Sequence, residues 1–184
     1  KVFFGHQSVG GNVLDALPSV TTGQGLNIVE SRAPSSADAY LQHAGIGQNG
    51  DPSGKFEDFA TIMRSGVGDE VDVALMKLCY VDITANTDVE AVFQEYKNTV
   101  AQLQREYPDV TFVHVTTPIT TEPTLKQKVK ILLGRGDVIT PADNLAREQY
   151  NQLLRDEYGD TGVIFDVAGE PFAVGGGRLD RGHF

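Results

Sequence analysis

Val2-Phe3-Phe4-Gly5-His6-Gln7-Ser8-Val9-Gly10-Gly11-Asn12 is the stretch that decides the fold. An apolar run halts at Gly5, a serine stands three residues on, and two glycines open a segment carrying Val13, Leu14 and Leu17 at helical spacing. The pattern reads as a strand over residues 2–4, a tight turn and a helix start, with Ser8 at the turn. A hydroxyl so placed lies at the carboxyl edge of a sheet, beside helix-terminal N–H groups that attract negative charge.

Outward from that turn, strand-like and helix-like stretches alternate. Residues 26–29 read as a second short strand, and residues 31–53 as a long polar loop rich in Gly, Ser, Ala, Asn and Pro. Phe56, Phe59, Ala60 and Met63 give helical spacing. Residues 71–78 are almost all apolar, as in a strand covered on both faces. Thr87 and Glu90 suit a capping box, and Val89, Val92, Phe93, Tyr96, Val100 and Leu103 draw one apolar stripe behind it. A fourth strand covers residues 110–115 and ends at Thr116-Thr117-Pro118.

Leu125, Val129, Leu132 and Leu133 suggest a short helix stopped by Gly134. Thr140-Pro141 opens another, with Leu145, Ala146, Tyr150, Leu153 and Leu154. Residues 163–167 make the fifth strand, followed by a Gly175-Gly176-Gly177 loop and a tail containing Asp180 and His183. The expected fold is α/β: a three-layer αβα sandwich on a five-stranded parallel sheet, in one domain over residues 1–184. Ligands in such folds gather beyond the carboxyl ends of the strands.

Composition narrows the function. The chain has 184 residues, 40% of them apolar, and a formal net charge of −10 with no basic run, which disfavours nucleic acid and anionic membranes as partners. No apolar stretch has the length of a membrane span. One cysteine, Cys79, excludes an internal disulfide framework and a cysteine-built zinc site, and it reads as a small core residue.

A serine hydroxyl needs a base to act as a nucleophile at neutral pH, usually a histidine oriented by a carboxylate. His114 alternates into the fourth strand and reads as structural. His43 falls in the long loop. His6 is too near Ser8 in sequence to face it from a turn. His183 follows Asp180 by three residues, so one turn brings the carboxylate onto Nδ1 and leaves Nε2 outward.

A serine after the first strand and an Asp-x-x-His after the last resemble the SGNH (GDSL-type) hydrolase superfamily of esterases and lipases. The Gly5-His6-Gln7-Ser8 turn is similar to the Gln-Ser variant of its carbohydrate O-acetylesterases. The resemblance implies a flavodoxin-like form for the five-stranded parallel sheet, Ser8 as nucleophile, His183 as base and Asp180 as its orienting partner, with no metal or cofactor. It implies a small-molecule or carbohydrate ester as substrate, and favours a secreted or periplasmic location.

The family's oxyanion hole takes the serine N–H, a loop glycine and an asparagine side chain. Here Gly50, with Gly47 as runner-up, matches the glycine. The asparagine position holds Val81, which cannot donate, and Asn49 is the nearest substitute. Asp82 reads as a loop-holding carboxylate, and Lys77 as a side chain that leaves an apolar run either for solvent, the favoured reading, or for the site edge near an oxyanion. Two other readings remain open. One is a non-catalytic carbohydrate-binding module on the same fold. The other is a flavodoxin-like phosphate or nucleotide binder, with residues 5–11 cradling the anion.

Overall fold

A computed structural model describes residues 1–7, 10, 11, 14, 15, 17, 27–35, 37, 38, 40–120, 140–161 and 163–169. Six strands form one sheet: β1 (Val2–His6), β2 (Ile28–Glu30), β3 (Leu41–Gly45), β4 (Val73–Met76), β5 (Thr111–Val115) and β6 (Ile164–Phe165). Their spatial order is β2-β3-β1-β4-β5-β6, and every pairing is parallel. Among the described residues three long helices join them: α1 (Pro52–Ile62), α2 (Val89–Glu106) and α3 (Pro141–Tyr158). The flavodoxin-like α/β expectation holds, with six strands in place of five.

The added strand is β3, which lies inside the stretch read as a long loop. Leu41-Gln42-His43-Ala44-Gly45 has too few apolar residues to show a strand period. Its inward polar residue is anchored at one end: fully buried Gln42 donates from Nε2 to the carbonyls of Ser31 and Ala33, while its Oε1 finds no partner among the described residues. His43 therefore sits on a strand and not in a loop. Without edge strand β2, the order has β1 between β3 and β4, so the chain reverses its winding direction there. The carboxyl ends of these three strands meet at that switch point, where open α/β sheets bind ligands.

Strand alternation sends Phe3, Ala74 and Phe112, which share a register row, into one core with Phe56, Phe59, Phe93, Tyr96 and Tyr150 from the helices. On α2 the buried residues are Val89, Phe93, Tyr96, Val100 and Leu103, the 3–4 spacing of a single stripe. Its cap differs from the expected Thr87–Glu90 box. Asp88 is the N-cap and accepts from the Ala91 N–H at 3.0 Å, while the Thr87 hydroxyl accepts from the Thr84 N–H. The α3 start is as expected, with Thr140 and Asp143 forming a reciprocal capping box ahead of which no helix can extend past Pro141. The helix read around Leu125–Leu133 lies outside the described residues.

The other sheet face carries Phe4 and His6, covered by the helical residues that follow β1. A Cβ on Gly10 would lie 2.2 Å from His6 Cγ, whereas one on Gly11 would meet nothing within 4 Å. Gly10→Ala is therefore expected to cost about 1–3 kcal/mol through overpacking. Gly11→Ala should be neutral or stabilise by about 0.5–1 kcal/mol through helix propensity. Paired urea denaturation curves check the contrast.

His114 is buried on the helix side of the sheet. Its Nδ1 pairs with the Tyr96 hydroxyl at 2.8 Å and its ring stacks on Tyr158. Burial pushes its imidazole from the ordinary 6.5 down to about 4. As pH falls through that window, the unfolded chain takes up a proton that the folded chain refuses. Stability contributed by the neutral ring is complete above the unfolded value and declines by about 3 kcal/mol on the way down. His114→Gln is expected to flatten this part of the pH–stability profile, measured by urea denaturation between neutral pH and pH 4.

Candidate functional site

Ser8, Asp180 and His183, the nucleophile, orienting carboxylate and base implied by the family resemblance, lie outside the described residues. Gln7 and Gly10, on either side of Ser8 in the chain, are described, and with the loops after β3 and β4 they form one connected polar layer at the carboxyl ends of β1, β3 and β4.

The turn after β1 is anchored at both ends. The Gln7 carbonyl accepts from the Gly10 N–H at 2.8 Å and from His6 Nδ1 at 2.7 Å. The Gln7 side chain reaches the neighbouring loop, donating from Nε2 to the carbonyls of Ile46 and Gly47 at 2.8 and 2.9 Å. Because a carbonyl only accepts, His6 carries its proton on Nδ1. Its Nε2 then accepts from His43 Nδ1 at 3.1 Å. Burial lowers the His6 pKa, and His43 and Lys77 lower it further against the effect of the Gln7 carbonyl. Both ring nitrogens of His6 are engaged, so this histidine braces the turn.

The loop after β3 is tied down from three sides. Gly47 donates its N–H to Asp58 on α1 at 2.8 Å. Asp58 also pairs with Arg32, which holds its carboxyl below the usual range, and Arg32 Nη1 donates to the Gly45 carbonyl at 2.7 Å. Gly50 takes φ of +85°, a conformation that favours glycine, and donates its N–H to Asp82 Oδ1 at 2.8 Å. The N–H of Gly50, the glycine expected as an oxyanion donor, and that of its runner-up Gly47 are thus both occupied by carboxylates.

Asp82 performs the loop-holding role read from the sequence, and more. Its Oδ2 accepts from the Cys79 N–H at 2.6 Å and from Lys55 Nζ at 2.5 Å. Both side chains of the Lys55–Asp82 pair are fully buried. Lys55 donates a further bond to Asn49 Oδ1 at 3.1 Å. An ammonium has donors only, so this bond fixes which end of the Asn49 amide faces Lys55. Nδ2 is left as a donor that bonds to no described residue, on a residue exposed to solvent. Val81 is partly buried in the adjacent turn, and Cys79 is buried as expected.

Lys77 corrects its sequence reading. It does not reach solvent: it is 2% exposed, donates from Nζ to the Leu78 carbonyl at 3.0 Å, and burial lowers its pKa. Lys77 follows β4 directly and donates its N–H to the Gly5 carbonyl, so the alternation of β4 carried one residue on puts it on the sheet face of Phe4 and His6.

Two anchors were not read from the sequence. Arg147 of α3, 1% exposed, donates from Nε to the Tyr80 and Ile83 carbonyls at 2.7 and 3.1 Å. Its Nη1 donates to the Thr120 hydroxyl and to Asn144 Oδ1. Asn151 clamps Thr117, accepting its N–H at 2.7 Å and donating to its carbonyl at 2.9 Å. A signal existed: on α3, Asp143, Ala146, Arg147, Tyr150, Asn151 and Leu154 share the buried stripe. Lys55 likewise shares a stripe with Phe59 and Ile62. A charged residue at a core position of a stripe is the mark of a built polar site.

No group of three or more His, Cys, Asp or Glu side chains among the described residues is arranged to hold a metal ion. Among the described residues, no helix is long and apolar enough to cross a membrane.

No family model and no curated protein matches the chain. Among solved structures it aligns with a protein from Streptococcus pneumonia described as "a putative platelet activating factor". The TM-score is 0.53 at 13% identity, over 90% of this chain and 64% of that one. This likeness shows a shared fold. A mutated uronate dehydrogenase aligns with a TM-score of 0.38 and 12% identity, over 89% of this chain and 56% of that one, below the level of a shared fold. The chain spans less than two thirds of the length of either protein.

Proposed function

We propose that the chain is a serine ester hydrolase of the SGNH type, acting on a small acyl ester such as an O-acetylated carbohydrate. The observation that carries the proposal is the tying of the Gln7 turn to the Ile46–Gly47 loop at the switch point of a flavodoxin-like sheet. That link holds the residue before Ser8 next to the loop that presents Asn49.

In this reading Ser8 Oγ attacks the ester carbonyl while His183, held by Asp180, takes its proton. The carbonyl oxygen becomes an oxyanion, held by the Ser8 N–H and by Asn49 Nδ2. Gly50 keeps its N–H on Asp82 and shapes the loop instead. Collapse expels the alcohol, which receives the proton from His183. Water, deprotonated by the same histidine, then releases the acid from the acyl-serine. The engagement of both His6 nitrogens, and the burial of His114 against Tyr96 and Tyr158, support a base from elsewhere in the chain.

Val81, where the family has its asparagine donor, favours a second reading, a carbohydrate-binding module without turnover. A fluorophosphonate probe separates the two. A hydrolase forms a covalent adduct that peptide mass spectrometry places on Ser8, and it turns over 4-nitrophenyl acetate faster than a longer-chain homologue. An unlabelled Ser8 together with no ester turnover would leave the binding module.

A further inference from the structure

Lys55 is the buried counterion of Asp82, and that pairing does not account for its second bond. It occupies the first turn of α1, where the helix dipole disfavours a cation, on a stripe with Phe59 and Ile62 that a leucine or methionine would complete. Burying an ammonium costs several kcal/mol before its partners repay it. Asp82 already receives the N–H groups of Cys79 and Gly50 in joining the two loops. What only a multiple donor supplies is the simultaneous second bond, from Nζ to Asn49 Oδ1.

We infer that Lys55 is a positioning residue that orients the Asn49 amide so that Nδ2 serves as the side-chain donor to the oxyanion, the place Val81 leaves open. The inference rests on the hydrolase reading. As the ester carbonyl becomes O⁻, Nδ2–H strengthens its bond to it. The buried cation on Oδ1 draws electron density through the amide and makes that N–H a better donor. No proton moves and no bond of Asn49 breaks. Asp82 holds Lys55 in place and so acts one step further from the chemistry.

A double-mutant cycle on 4-nitrophenyl acetate hydrolysis tests the coupling. Asn49→Ala is expected to lower kcat about a hundredfold with KM nearly unchanged, since the bond forms in the transition state. Lys55→Met is expected to lower kcat at least about tenfold in the native background and no further in Asn49→Ala. The same loss in both backgrounds, or none in either, would overturn the inference, because a lysine that only stabilises the fold acts independently of Asn49. Should Lys55→Met fail to fold, Lys55→Met/Asp82→Asn, which removes both charges, goes through the same cycle. Wild type that neither turns over esters nor labels with the phosphonate sinks the hydrolase reading and this inference with it. An active wild type with an additive cycle sinks this inference alone.

Discussion

Ser8→Ala is expected to lower kcat/KM for 4-nitrophenyl acetate by about four orders of magnitude or more and to abolish phosphonate labelling. Removing the nucleophile leaves only whatever catalysis binding and oxyanion donors give to attack by water. His183→Ala should fall to a similar level, because an unassisted hydroxyl scarcely ionises at neutral pH. The double variant should be no worse than either single one, since residues that act as a unit are non-additive. Steady-state kinetics on the three variants, with circular dichroism to show that each is folded, decides the matter. Retention of even a tenth of wild-type turnover by Ser8→Ala would assign the nucleophile to another residue. A loss in Ser8→Ala with none in His183→Ala would move the base to another group, and His43 would then be the histidine to replace.

Asp82→Ala is expected to be the most destabilising single change in the described site, by about 3–5 kcal/mol. Asp82 is the counterion of a fully buried lysine and the acceptor for the N–H groups of Cys79 and Gly50. Truncation leaves an ammonium and two amides without that acceptor, and the ammonium is the larger part of the cost. Lys55→Met/Asp82→Asn should recover much of the loss, because a neutral pair avoids the stranded charge and Asn still accepts at one oxygen. Urea denaturation of the three proteins measures both quantities. A loss below about 1 kcal/mol in Asp82→Ala would mean that Lys55 escapes to solvent, and that the two loops are held together by other contacts.

Much of the architecture is legible residue by residue. Five of the six strands coincide with apolar runs, and the α2 stripe and the Thr140 cap can be read directly, because they express local periodicity and local hydrogen bonding. Asp82 could be read as a loop-holder because a carboxylate just past a buried strand end has backbone amides within reach. β3 could not be read. The Nε2 of its inward Gln42 is held by carbonyls about ten residues away, and its apolar residues are too few to count. The Thr87 reading failed for a related reason. Two oxygen-bearing residues stood side by side, and only the path of the chain determined that Asp88 would cap the helix.

The site divides along the same line. The sequence by itself determined that this is an alternating α/β chain, that a serine follows its first strand, and that an Asp-x-x-His follows its last. These depend on residue order and on periods of two and 3.6, which exist before the chain folds. Only the tertiary structure decided that Gly50 gives its N–H to Asp82, that His6 is held by Gln7 and His43, and that Lys77 is buried. The same is true of the turning of Asn49 by Lys55. Each of these outcomes depends on which donor finds which acceptor once strands distant in sequence lie side by side. A buried polar group must take a partner from that neighbourhood, whatever its own stretch of sequence would suggest.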